Sequence, residues 1–138
     1  MSIISRPHDP QSLINHGFIV ESAISLPDEE PNENRFELNM LVDTGASISG
    51  ISGELAQEIG LPQIGIQELG TAGGTVETAV YVGNILFSPQ HPWRRQSIPM
   101  MEVNLDGQGD NYKGIIGRDL LSMGMLTYIG FTGTCILS

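Results

Sequence analysis

Glycine and proline recur too often in this chain for long helices to form. There are 17 glycines and 8 prolines among 138 residues. Both residue types break helices and mark turns. The runs between them are short, apolar and often alternating, which predicts an all-β plan with many tight turns. At this length one domain with one hydrophobic core is expected. No linker, repeat or low-complexity tract divides the chain.

Residues 1–16 read as an irregular arm, so the expected organisation is an N-terminal arm over 1–17 and one folded domain over 18–138. Phe18, Val20, Ile24 and Leu26 predict a strand with one apolar face. The acidic, proline-bounded stretch 27–34 reads as a solvated connection. Phe36, Leu38, Met40 and Val42 then alternate with Glu37, Asn39 and Leu41, the pattern of a half-buried strand. Ser52 as a cap, Leu55 and Ile59 four apart, and Gly60 before Pro62 predict a helix over 52–59. Gly73 and Gly74 suit the positive φ angles of a tight hairpin turn. Strands follow over 79–87 and 98–105, with a loop over 88–96 that carries Trp93, Arg94 and Arg95. After a polar turn over 106–113 come a short buried strand and a short helix over 118–123. A hairpin with strands over 125–129 and 134–137 closes the chain.

The charge balance excludes several functions. Asp and Glu number 16 against 6 Lys and Arg, a net charge of −10. Nucleic acid needs a basic face, and anionic membrane surfaces do too, so neither is an expected partner. No apolar run approaches the roughly 20 residues of a membrane span. Arg6, Pro7, His8 and Asp9 stand where a signal peptide has an apolar stretch, so a cytoplasmic location is expected. The single cysteine, Cys135, excludes an intrachain disulfide and a cysteine-based zinc site, and reads as an inert buried thiol. His8, His16 and His91 lack the paired spacing of metal ligands. No metal or other cofactor is expected. Met100, Met101, Met123 and Met125 read as core or interface filler, and Tyr81 as a core residue.

The chemistry concentrates at Asp43-Thr44-Gly45-Ala46-Ser47. A carboxylate there leaves a hydrophobic strand at a tight turn, on a rigid scaffold, with a glycine that allows close backbone approach. Much later comes Gly114-Ile115-Ile116-Gly117-Arg118-Asp119-Leu120-Leu121. Two β-branched residues and a glycine predict a buried strand that another backbone crosses closely. Asp119, on the helix after Gly117, is a poor second acid. Between the two motifs lies the glycine-rich hairpin at 70–75.

In their order and spacing these elements resemble the retropepsin-like aspartic proteases, which include bacterial single-domain members. The likeness covers about 18–137. It implies a small closed β-barrel-like fold with one or two short helices and a ψ-shaped active-site loop, assembled as a homodimer. The implied activity is an aspartic endopeptidase that hydrolyses peptide bonds of extended polypeptides without cofactor. Asp43, Thr44 and Gly45 would be the catalytic triplet. Thr44 resembles the threonine whose hydroxyl bonds across the dimer, and Gly45 the residue whose carbonyl accepts from the substrate backbone. Ala46 and Ser47 would line the substrate cleft. Thr71, Ala72, Gly73, Gly74 and Thr75 lie in a segment, 70–78, that resembles the flap closing over substrate. Ile115, Ile116, Gly117 and Arg118 would support the active-site loop.

The aspartic mechanism leads to a dimer by its own logic. It needs one ionised carboxylate as general base and one protonated carboxylate as donor, around one water. The chain holds a single Asp-Thr-Gly triplet, so two copies of Asp43 across a two-fold axis would supply the pair. Two departures stand out. Many viral members carry an acidic residue where Ser47 stands, paired to the arginine, so Arg118 lacks that partner here. The flap also lacks a pepsin-type aromatic. The rival reading is a catalytically silent peptide-binding or dimerisation module, which the unpartnered Arg118 favours and the intact triplet opposes.

Overall fold

The computed structural model describes residues 9–30, 34–87, 94–105, 107 and 111–138, and the backbone of 3–4. Arg6, Pro7, His8, His91 and Trp93 lie outside the described residues, as do 31–33 of the acidic connection and 106 and 108–110 of the polar turn.

The described residues form β1 (Ile3–Ile4), α1 (Pro10–His16), β2 (Ile19–Ser25), β3 (Phe36–Val42), β4 (Gly50–Ser52), α2 (Gly53–Ile59), β5 (Gln63–Thr71), β6 (Gly74–Phe87), β7 (Arg94–Val103), β8 (Gly114–Ile116), α3 (Arg118–Leu121), β9 (Leu126–Ile129) and β10 (Thr134–Leu137). The main sheet has the order β2-β3-β8-β4-β7-β6-β5, and β2 also pairs with β6. Pairing therefore runs through β2, β3, β8, β4, β7 and β6 and returns to β2, while β5 and the first half of β6 project as a ribbon. Most pairs are antiparallel, but β3–β8 and β4–β7 are parallel. A second sheet has the order β1-β10-β9.

The strands follow from their side chains. In β3, Leu38 and Met40 are buried while Glu37 and Asn39 are exposed, the period of two that pleating imposes. Phe36 departs from that alternation and is 42% exposed. The core gathers Ile24, Met40, Ile51, Ile85, Phe87, Met100, Ile116, Leu120 and Leu137, all fully buried. Each large apolar side chain contributes about 1.5–3 kcal/mol by leaving water. Tyr81 and Cys135 lie in the same cluster, and burial pushes the Cys135 thiol up from its ordinary value. Met100 and Met101 are buried, whereas Met125 is exposed.

Among the described residues three short helices are present where one or two were expected. The additional one is α1, inside the stretch read as an irregular arm. Asp9 caps it, accepting from the Ser12 N–H at 2.8 Å, and Pro10 opens it. Leu13 is its only buried residue, which is why no helical periodicity shows in the sequence. Helix α2 forms as the sequence predicts, with Ser52 Oγ accepting from the Leu55 N–H at 3.4 Å and Gly60 closing it in the left-handed region.

Strand β7 also differs from expectation. It begins at Arg94, so Arg94 and Arg95 lie in a strand, paired with Leu86 and Ile85, and not in a loop. The register shifts between Gly83 and Ile85, where Asn84 Oδ1 accepts from the Ser97 N–H at 2.9 Å. That side-chain bond replaces a missing ladder bond, so pairing continues past the irregularity. Among the described residues no helix is long and apolar enough to cross a membrane.

Candidate active site

The parallel pair β3–β8 sets the site. Leu41 lies beside Ile115 and Val42 beside Ile116. The pairing extends one residue beyond β3, because the Asp43 N–H donates to the Ile116 carbonyl at 2.9 Å. Asp43 thus leaves the sheet with its backbone still held. The chain then turns, with the Ala46 N–H donating to the Asp43 carbonyl at 3.2 Å and the Gly45 N–H to Asp43 Oδ1 at 2.9 Å. Asp43 is half-buried, and Thr44, Gly45 and Ser47 are exposed.

The crossing at Gly117 locks this turn. A Cβ at Gly117 would lie 2.8 Å from the Ile48 carbonyl carbon and 3.0 Å from the Ala46 oxygen. Only a residue without a side chain lets the two backbones approach so closely. The Gly117 N–H donates to Ser49 Oγ at 3.0 Å, and the Arg118 N–H to the Ala46 carbonyl at 2.9 Å.

Two side chains complete the lock. Arg118 Nη1 donates to the Thr44 carbonyl at 2.7 Å. The arginine that lacks an acidic partner at Ser47 therefore grips the backbone of the Asp43 turn directly. Asp119 accepts twice from Ser49, from its Oγ at 2.7 Å and its N–H at 3.1 Å. Bonds to a charged group contribute about 1.5–3 kcal/mol each when shielded from water. Ser49 is fully buried, and its hydroxyl both donates and accepts. As sequence, Asp119 reads only as a poor second acid and Ser49 as nothing at all. The available signal was a carboxylate placed directly after a Gly-Arg crossing, where it needs a donor from the opposite segment.

The hairpin of β5 and β6 is built differently. Its residues up to Glu77 are exposed on both strands. Thr71 pairs with Gly74, so Ala72 and Gly73 form the turn, and Thr71 Oγ1 donates to the Gly74 carbonyl at 2.6 Å. Within the described hairpin, positive φ is found at Gly74, at 121°, and not at Gly73. The structure thus brings Asp43–Ser47 together with Ile115–Arg118. It shows no hydrogen bond from Thr71, Ala72, Gly73, Gly74 or Thr75 to that group among the described residues. A surface groove of about 490 Å³ lies elsewhere, against Glu21, Ala23, Arg35, Glu37, Leu55 and Lys113.

Comparison with known proteins follows the same outline. A family model described as aspartyl protease matches residues 32–120. A retropepsin-like aspartic protease from Rickettsia conorii superposes with a TM-score of 0.64 at 19% identity, over 99% of this chain and 89% of that one. At that identity the likeness speaks to the fold alone: mostly β, with few short helices. A Legionella pneumophila protein of unknown function gives a TM-score of 0.39 at 16% identity, over 75% of this chain and 84% of that one, too low to carry an argument. No curated protein matches the sequence.

Proposed function

This chain belongs to the aspartyl protease family, and on that premise we propose that it is an aspartic endopeptidase acting on extended polypeptides as a homodimer. The observation that carries the reading is the placement of Asp43. Its backbone is held by Ile116 and its Oδ1 by Gly45, while the surrounding turn is clamped by Arg118. A carboxylate fixed so firmly at an exposed turn is of little use to a scaffold and of great use to catalysis.

In the proposed dimer the Asp43 side chains of two subunits flank one water and share one proton. The ionised carboxylate takes a proton from the water as its oxygen attacks the scissile carbonyl carbon. The protonated carboxyl donates to the carbonyl oxygen. The tetrahedral intermediate then collapses, the C–N bond breaks, and a proton passes to the leaving amine. Thr44 would fix the two turns against each other, the Gly45 carbonyl would accept from substrate, and Ala46 and Ser47 would line the cleft. The 70–78 hairpin would close as a flap, and the returning ladder would form a closed barrel. Support for the dimer comes from the single triplet and from the exposure of Thr44 and Gly45. A cytoplasmic location belongs to the same proposal.

The test is cleavage of an unfolded protein between about pH 3 and about pH 8, which spans the range where a carboxylate pair shares its proton. Wild type is expected to cut, and Asp43→Asn to lose at least about a thousandfold while remaining folded. Undiminished cleavage by Asp43→Asn would overturn the mechanism. A folded dimer inactive at every pH would favour the silent binding module.

A further inference from the structure

The groove that lies apart from the Asp43 turn is built on one face of the main sheet. Arg35, just before β3, and Glu37 and Asn39 within it share a face by the period of two, and all three line the groove. The register places Glu21 opposite Asn39, and Ala23 opposite both Glu37 and Leu86. The Lys113 N–H donates to the Asn39 carbonyl at 2.9 Å, which sets Lys113 beside the same row. The Lys113 carbonyl accepts from the Ser52 N–H at 2.8 Å, so α2 starts there and brings Leu55 to the groove.

Apolar and charged groups divide the lining between them. Ala23 and Leu86 are buried and Leu55 is half-buried. Glu21 and Glu37 are exposed, whereas Arg35 and Lys113 are half-buried. Among the described residues none of these four charged side chains makes an ion pair or a side-chain hydrogen bond. A cation partly withdrawn from water without a counter-charge leaves its solvation uncompensated. Two carboxylates and two cations sum to zero, so the groove suits a dipolar ligand better than an ion. Arg35 and the row of Glu21 and Asn39 lie about 13 Å apart along β3. Three or four extended residues span that distance, and a volume of about 490 Å³ holds a ligand of that size.

We propose that this groove is a second ligand site, for short apolar peptides of three or four residues with both ends free. The α-carboxylate meets Arg35, the α-ammonium meets Glu21, and apolar side chains cover Ala23, Leu55 and Leu86. The carboxylate gives the half-buried guanidinium the charge-assisted partner it otherwise lacks. A ligand of this class arises wherever polypeptides are hydrolysed. None of the lining residues belongs to the Asp43 turn, to the 70–78 hairpin or to the β1-β10-β9 sheet. The site therefore goes beyond the proposed peptidase activity and needs neither Asp43 nor turnover.

The test is calorimetric titration of the full-length Asp43→Asn protein with the tetrapeptide Leu-Ala-Leu-Ala. Three controls are the same peptide amidated at its C-terminus, acetylated at its N-terminus, or carrying Ser for Leu. The free peptide is expected to bind, and each control to bind about tenfold more weakly. Arg35→Gln should weaken binding of the free peptide by about the same factor, and Glu21→Gln by about fivefold, since that carboxylate is exposed. Neither substitution, made in the wild-type chain, should change cleavage of an unfolded protein. Equal binding of the amidated, acetylated or serine peptide overturns the proposal. So does an unchanged Kd in Arg35→Gln, which would place the peptide elsewhere, or no binding at about 1 mM peptide. A wild type that cuts nothing while its groove binds the peptide this way leaves the site standing. An active wild type whose Asp43→Asn form shows no such binding removes the site alone.

Discussion

The Asp43 turn and the β5–β6 hairpin are both glycine-bearing loops on the same sheet, yet they are held in opposite ways. The turn at 43–49 is tied to β8 and α3 by backbone bonds from Asp43, Gly117 and Arg118 and by the side chains of Arg118 and Asp119. In the hairpin, over 63–78, Gln63, Thr71 and Thr78 make side-chain bonds, and among the described residues only the one from Thr78 leaves the hairpin, for β7. Glycine serves two purposes accordingly. At Gly117 it permits contact between backbones, whereas at Gly73 a Cβ would meet nothing within 4 Å. The lesson is a division of labour. Under the proposed function, chemistry that needs atoms fixed to a fraction of an ångström would sit on the cross-tied loop, and the segment that would open and close on the free ribbon.

That contrast is most exposed to test at its two glycines. Gly117→Ala should cost about 3 kcal/mol, at the upper end of overpacking effects, because the obstructing atoms are backbone and cannot swing away. Gly73→Ala should stay within about 0.5 kcal/mol. Denaturant unfolding of both variants measures the difference, and equal costs would erase the distinction between the two loops.

A hydroxyl pair gives the next largest effect. Ser49→Ala leaves part of Asp119 and the Gly117 N–H without a partner, and should cost about 2 kcal/mol. Thr71→Ala removes one exposed bond and should cost less than about 0.5 kcal/mol. Thermal unfolding compares them directly, and a loss at Thr71 matching that at Ser49 would show that the ribbon is as constrained as the turn.

The smallest effect calibrates the global stability against which both loops are judged. Burial pushes the Cys135 thiol above its ordinary value of 9.0. The folded chain therefore keeps the thiol proton where the unfolded chain has already lost it. Stability is full below that value and falls as pH rises through it. Unfolding of wild type and Cys135→Ala across alkaline pH should show this limb in the wild type and a flatter one in the variant.

How much of this was readable beforehand depended on where the ordering forces lie. The alternation of Leu38 and Met40 with the polar Glu37 and Asn39, and the caps Ser52 and Gly60, are local, so β3 and α2 stand out in the sequence. The Asp43 and Gly117 motifs are legible because each gathers its distinctive residues in a short run. Helix α1 hides because only Leu13 is buried, leaving no periodicity to see. Arg94 and Arg95 read as loop because their strand is imposed by pairing with β6, not by their own propensity. The bond between Ser49 and Asp119 spans a sequence separation of 70 residues, and only the fold brings its ends together. The same holds for Arg118, whose partner is a backbone oxygen that no side-chain pattern can announce.

The central claim is that one site is built from the Asp43 carboxylates of two chains. Mixing wild-type and Asp43→Asn proteins at constant total concentration, with time for subunits to exchange, tests it most directly on an unfolded protein substrate. Activity is predicted to fall as the square of the wild-type fraction, to roughly one quarter at equal mixing, since only pairs of intact subunits hold a complete site. A linear fall, to roughly one half, would mean that each chain carries a whole site and would contradict the account.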